Sequence, residues 1–201
     1  MSQLPVVLAM TGASGAPYAV RLLGVLAKGR VPVWLIVSGH GWRLLEEECG
    51  ISSMAELQKA TGGKKAWSTI TVCDDADRGA GPASGSVRTA GMVVCPCSMG
   101  TLSAIALGTS RSLIERAADV TLKERRKLLL VPRETPLSLV HARNIVAVTE
   151  AGAIVMPAAP GFYHRPTRIE DLVVFMVQRI LDHLGVEAEV APRWGGTRAR
   201  T

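Results

Sequence analysis

The chain has 201 residues, 48% hydrophobic and 20% charged, a balance that supports a packed core and excludes an intrinsically disordered protein. One domain of this size buries roughly 70% of the surface its unfolded chain would expose. The formal charge is +6, but the basic residues are scattered rather than gathered into a stripe, which sets nucleic acid aside and leaves arginine forks suited to small anionic ligands such as phosphates.

Met1–Pro5 carries no basic region followed by a long apolar stretch, and no apolar run approaches the roughly 20 residues that span a bilayer. A cytoplasmic protein with no membrane span is expected. Pro5–Met10 is a continuous apolar run ended by Thr11-Gly-Ala-Ser-Gly15, and helix-like spacing follows over Tyr18–Lys28: strand, glycine turn, helix. Val33–Val37 and Ser38-Gly-His-Gly repeat the pattern, with a helical stretch through Leu44, Leu45 and Glu48. Between Met54 and Ala80 the signal is weak: a short helix, a strand around Ser68–Val72 and a polar loop over Asp74–Pro82. Met92–Cys95 is a strand, Ser98–Ala106 a helix and Leu128–Val131 a further strand. Between them, Ser112-Leu-Ile-Glu115 has capping-box spacing and predicts a helix over about Leu113–Glu124. At Thr135-Pro136 the threonine suits an N-cap and the proline the first helical position. Ala153–Met156 is a last strand, and Ile169–Leu184 a helix with one apolar stripe stopped by Gly185.

Continuous apolar strands alternating with helices imply parallel strands buried on both faces. The expected fold is α/β, a three-layer α/β/α Rossmann-like sandwich around a doubly wound parallel sheet. Residues 1–186 form one domain, and 187–201 a tail that either stays disordered or docks through Arg193-Trp194 on a neighbouring subunit.

In such a sheet, ligands bind beyond the carboxyl ends of the strands. Gly12-Ala-Ser14-Gly15, Ser38, Ser98 with Thr101, and Arg133-Glu134 all stand at those ends. Hydroxyls and free amides at helix starts favour a phosphate. The glycine turn is neither a GxGxxG motif, a P-loop nor the elbow of serine hydrolases. The histidines His40, His141, His164 and His183 have no paired ligand spacing and the four cysteines no zinc-type spacing, so no metal is expected and the thiols read as reduced and structural.

The ordered set Thr11-Gly-Ala-Ser-Gly15, Ala83-Ser-Gly-Ser86, Pro96-Cys-Ser98, Leu122-Lys-Glu-Arg-Arg126, Arg133-Glu-Thr-Pro-Leu137 and Phe162-Tyr-His-Arg-Pro166 resembles the UbiX-type flavin prenyltransferases over about Pro5–Leu184. The resemblance implies that Gly12, Ala13, Ser14, Ser38, Ser98, Met99, Gly100, Thr101 and Arg133 bind FMN. It implies that Arg116, Lys123, Tyr163 and Arg179, with Trp194 from the tail, hold dimethylallyl monophosphate. Glu134 and Glu48 are the acid/base candidates it implies, with Lys123 and Ser14 also near the chemistry. Many members carry a lysine where Gly100 stands. Also implied are prenyl attachment at flavin N5 and then C6, a UbiD-type decarboxylase that uses the prenylated FMN, and a homododecamer.

The chemistry explains these residue types. Departure of phosphate from an allylic carbon leaves negative charge on oxygen, which arginine, lysine and tyrosine stabilise, and a carboxyl such as Glu134 can protonate it. Two alternatives remain open. An FMN-dependent cysteine decarboxylase shares the fold but typically shows a PASANT-like motif where this chain has Pro96-Cys-Ser-Met-Gly-Thr101. A non-catalytic flavin carrier would not need the Arg116, Lys123, Tyr163 and Arg179 set.

Overall fold

Short apolar runs set the strands: β1 (Val6–Met10), β2 (Val33–Val37), β3 (Ile70–Cys73), β4 (Gly91–Cys97), β5 (Leu128–Pro132) and β6 (Ile154–Val155). They form one six-stranded sheet in the order β3-β2-β1-β4-β5-β6, every neighbouring pair parallel. The structure is a computed structural model that describes residues 3–191; the tail from 192 onward, with Trp194, lies outside the described residues. Every residue of β1, β4 and β5 is buried, as strands covered on both faces require.

The helices are α1 (Ala16–Lys28), α2 (Gly39–Cys49), α3 (Met54–Ala60), α4 (Gly63–Ala66), α5 (Met99–Leu107), α6 (Leu113–Lys123), α7 (Leu139–Glu150) and α8 (Ile169–Leu184). One core lies under α1 and α8 and takes Val6, Leu8 and Met10 from β1. The other lies under α5 and α6 and takes Val7 and Ala9. This is the three-layer α/β/α Rossmann-like sandwich with a doubly wound parallel sheet.

Alternation breaks once, where it matters for the site. Val93 and Cys95 face the first core and Val94 the second, yet Cys97 also faces the second. Pairing with β5 shifts register between Val94 and Cys97. An irregularity around Pro96, which has no N–H to give a ladder, turns the end of the strand over. Ser98 leaves the sheet from that point.

Two local expectations are corrected. Helix α7 starts at Leu139, not at Pro136: the Ser138 hydroxyl accepts from His141 N–H, and His141 Nδ1 accepts from Ser138 N–H. That reciprocal cap fixes the start, and Thr135-Pro136 lies in the turn before it. At α6 the Ser112 hydroxyl does cap Glu115 N–H, but Glu115 does not return the bond to Ser112. Its carboxylate instead accepts from the Arg111 amide at 2.7 Å, from Arg111 Nη2 at 2.8 Å and from the Thr109 hydroxyl at 3.1 Å.

Burial alone would raise the Glu115 pKa, but the Arg111 bonds and Thr109 outweigh it and hold this carboxyl below the ordinary value. A group depressed on folding contributes stability above its unfolded pKa and loses it as pH falls through the folded one. Glu115→Gln is therefore expected to cost about 1–3 kcal/mol at neutral pH and to flatten the acid limb of stability against pH. Urea unfolding from pH 7 down to pH 3 checks both.

Candidate active site at the parting of the central strands

The chain runs outward through β1, β2 and β3, then returns to β4 beside β1 and runs outward the other way. Helix α1 leaves to one face and α5 to the other, so a crevice opens beyond β1 and β4, where open α/β sheets hold ligands. The regular ladder between these strands ends at Ala9 and Val94. Beyond it, Thr11 N–H and the Thr11 hydroxyl both donate to the Pro96 carbonyl, at 3.1 and 2.9 Å. The same hydroxyl accepts from Ser98 N–H at 2.8 Å. On the other side Ser38 N–H donates to the Met10 carbonyl.

Two helices start on this rim with serine caps. Ser38 accepts from Gly41 N–H. Ser98 accepts from Thr101 N–H and donates to the Thr101 hydroxyl at 3.0 Å. Arg133, at the end of β5, reaches back so that its Nε donates to the Ser14 carbonyl over a long 3.4 Å. Gly12, Ala13, Ser14, Ser38, Ser98, Met99, Gly100, Thr101 and Arg133 are thereby gathered around one crevice. Two glycines allow it: a Cβ on Gly41 would meet the Met10 carbonyl oxygen at 2.6 Å, and one on Gly12 would meet the Cβ of His40 at 2.5 Å.

The start of α1 differs from the expectation of open amides. Gly15 has no side chain to cap it, and the Gly15 and Ala16 N–H groups both donate to Glu48 Oε2 at 2.8 Å. Glu48, expected as an acid/base group, stands here as the carboxylate cap of α1, where the positive helix end favours it. Sequence spacing gave no sign of this contact, because it joins α2 to α1 across 33 residues.

The remaining residues fall at two places. Glu134 is exposed beside Arg133 and accepts from Thr135 N–H. Tyr163 packs edge-on against His164 and Phe175. Arg179 pairs with Asp182 at 3.8 Å and lines a cavity of 240 Å³ with Phe175, Met156 and Pro157, so Tyr163 and Arg179 share Phe175 as a neighbour. Arg116 and Lys123 lie on α6, and Lys123 closes that helix just before β5 begins. A strand's length, about 17 Å at ~3.3 Å per residue, separates the start of β5 from Arg133, and Lys123 lies beyond that start. The structure does not bring Lys123 to Tyr163 within one chain. Arg116 pairs with Asp119 at 2.8 Å and Lys123 with Glu124 at 2.6 Å. Arg126, which closes the Leu122-Lys-Glu-Arg-Arg126 motif but had no site role from sequence, ties the loop opposite by donating to the Gly85 and Val87 carbonyls.

Burial pushes the Cys95 thiol up to about 12 and the Cys97 thiol higher still, so neither offers a thiolate to the crevice. Among the described residues no group of three His, Cys, Asp or Glu side chains is placed to hold a metal ion, and no helix is long and apolar enough to cross a membrane. A larger groove of 940 Å³ lies along α1 and α8, lined by Val20, Val25, Glu48, Ile169 and Val173. Its walls are the sides of helices rather than strand ends, and although Arg21, Lys28 and Arg168 also line it, it has none of the serine and threonine hydroxyls found in the crevice.

A family model described as Flavoprotein matches residues 1–181. The chain belongs to the flavoprotein family. The flavin prenyltransferase UbiX of Pseudomonas aeruginosa is 47% identical over 94% of this chain and 93% of that protein. The crystal structure of AnUbiX (PadA1) in complex with FMN and dimethylallyl pyrophosphate is similar with a TM-score of 0.88 and 38% identity, over 98% of this chain and 100% of that one. A dodecameric FMN-dependent UbiX-like decarboxylase from Escherichia coli O157:H7 is similar with a TM-score of 0.86 and 40% identity, over 96% and 100% of the two chains.

The crevice of this flavoprotein fits FMN on its own chemistry. It offers neutral hydroxyls at Ser38, Ser98 and Thr101, a guanidinium whose terminal nitrogens have no partner among the described residues, and an open approach at Gly100, where a Cβ would meet nothing nearer than the Ser98 hydroxyl at 3.9 Å. Gly100→Lys is expected to leave stability within about 0.5 kcal/mol. Gly12→Ala is expected to cost about 1–3 kcal/mol by overpacking against His40 and to weaken flavin binding. Thermal unfolding with and without FMN separates the two variants.

Proposed function

We propose that this chain transfers a dimethylallyl unit from dimethylallyl monophosphate to reduced FMN, as a metal-independent flavin prenyltransferase. The observation that carries the reading is the crevice beyond β1 and β4, with its serine caps and Arg133, in a chain 47% identical to a flavin prenyltransferase over nearly its whole length. Ser38, Ser98, Thr101 and Arg133, with the backbone of Gly12–Ser14 and Met99–Gly100, hold the FMN. When bound, the reduced flavin supplies the electron-rich ring atoms, N5 and C6, that accept the prenyl unit.

The chain's own groups do the rest. Breaking the allylic C–O bond leaves the electron pair on phosphate, and cations preset around that oxygen lower the barrier. Arg179 supplies the cation and Tyr163 a hydroxyl donor from the β6–α8 side. Glu134, exposed at the rim beside Arg133, donates a proton to the departing phosphate, a contribution of roughly 10²- to 10⁴-fold in such catalysis. Glu48 keeps the Ser14 loop in place through the α1 amides, and accepting the ring proton is its second proposed role. Arg116 and Lys123 reach a phosphate through a neighbouring copy of the chain, since their own crevice is a strand's length away. A homododecamer fits this need, and the UbiX-like relative of Escherichia coli O157:H7 is dodecameric.

The retained Tyr163, Arg179, Arg116 and Lys123 set favours catalysis over a flavin carrier, and protonated, buried Cys95 and Cys97 suit a reducing cytoplasm. A UbiD-type decarboxylase is the proposed user of the product. Mass spectrometry of the flavin after anaerobic incubation of protein, reduced FMN and dimethylallyl monophosphate is expected to show one added prenyl unit, absent without protein. Unmodified flavin despite tight FMN binding would move the reading to the decarboxylase or carrier. Glu134→Gln is expected to bind FMN normally while losing at least about 10²-fold in turnover; full turnover would end the acid role.

A further inference from the structure

Thr11 is 2% exposed and sits where β1 and β4 part. The regular ladder stops at Ala9 and Val94; beyond it the Thr11 N–H still donates to the Pro96 carbonyl at 3.1 Å, but Pro96 has no N–H to donate in return. The Thr11 hydroxyl adds what the backbone lacks, donating to the Pro96 carbonyl at 2.9 Å beside the amide and accepting from Ser98 N–H at 2.8 Å. Ser98 is the N-cap of α5, so this amide bond fixes the residue whose hydroxyl holds Thr101 N–H and meets the Thr101 hydroxyl. On its other side Thr11 leads directly into Gly12-Ala-Ser14, whose Ser14 carbonyl receives Arg133. This buried hydroxyl, together with the Thr11 amide, therefore ties both halves of the crevice together.

We propose that the Thr11 hydroxyl is a positioning group for flavin binding: it holds the Gly12–Ser14 loop and the Ser98–Thr101 helix start at the separation that FMN spans. This rests on the crevice being the FMN site. Thr11 touches no ligand itself; it acts through Ser98 and the loop. Replacing it by valine keeps the branched shape but leaves the Ser98 amide without its acceptor and removes one of two donors to Pro96, whereas serine keeps the hydroxyl and loses only a methyl group.

The test is FMN affinity by flavin fluorescence, measured on folded protein well below the melting temperature of each variant, for wild type, Thr11→Ser, Thr11→Cys and Thr11→Val. Affinity is expected to follow the hydroxyl. Serine stays within about 3-fold of wild type, while valine and cysteine weaken FMN by about 10-fold or more, as expected for a polar group deprived of its partner. In turnover the loss appears in the KM for FMN, with the KM for dimethylallyl monophosphate unchanged. If the valine variant does not fold, the serine and cysteine pair decides. Valine binding FMN as wild type does, or serine binding as poorly as valine, overturns the proposal. Wild-type protein that binds no FMN overturns the site assignment beneath it, an outcome separate from either.

Discussion

Everything at the site depends on one constraint: two parallel strands that pair along their length must separate at their ends, because their helices leave to opposite faces. The regular backbone ladder holds β1 to β4 only as far as Ala9 and Val94, with a single further backbone bond from Thr11 N–H to the Pro96 carbonyl. Past that point the chain needs other donors and acceptors, since buried backbone groups are costly when unpaired. Thr11, the Pro96 carbonyl and the Ser98 amide meet the need on one side, and the Met10 carbonyl with the Ser38 amide on the other. The crevice is the space these bonds keep open, and its polar groups are those that finish helices rather than extend the sheet.

The helix starts around the crevice are not equivalent. Ser38 and Ser98 cap their own helices with neutral hydroxyls, which retain hydrogen-bonding capacity for a ligand. Helix α1 is closed instead by a carboxylate from another helix, Glu48. A carboxylate already seated there disfavours a second anion, so in the proposed function phosphate recognition is assigned to the serine-capped starts and to Arg133. The same reasoning separates two sets of cations. Arg133 faces its own crevice, whereas Lys123 sits in an ion pair with Glu124 toward the opposite ends of the strands, before β5 begins and near the loop that Arg126 ties down. An enzyme that uses both sets needs more than one copy of the chain.

Much of this was legible in the sequence, for physical reasons that differ by element. Strands β1, β2, β4 and β5 read correctly because full burial makes them uninterrupted apolar runs. The edge strand β3 was faint because half its side chains face outward, which removes the run. Gly12, Ser14, Ser38, Ser98 and Arg133 could be placed because residues that follow a strand end share one edge of a parallel sheet. Contacts that cross the fold could not be placed: the Glu48 cap, the Thr11 bridge over 85 residues and the separation of Lys123 from Tyr163 depend on which elements become neighbours. At Thr135-Pro136 local preference pointed to one helix start, and the reciprocal bonds of Ser138 and His141 chose another.

The crevice beyond β1 and β4, not the 940 Å³ groove along α1 and α8, is proposed to hold the flavin. The most direct measurement is a crystal structure of this protein grown with FMN. Flavin density is expected to be bounded by the Gly12–Ser14 loop, with Ser38, Ser98, Thr101 and Arg133 within hydrogen-bonding distance. Density in the groove against Val20, Val25 and Val173, with the crevice filled only by water, would contradict it.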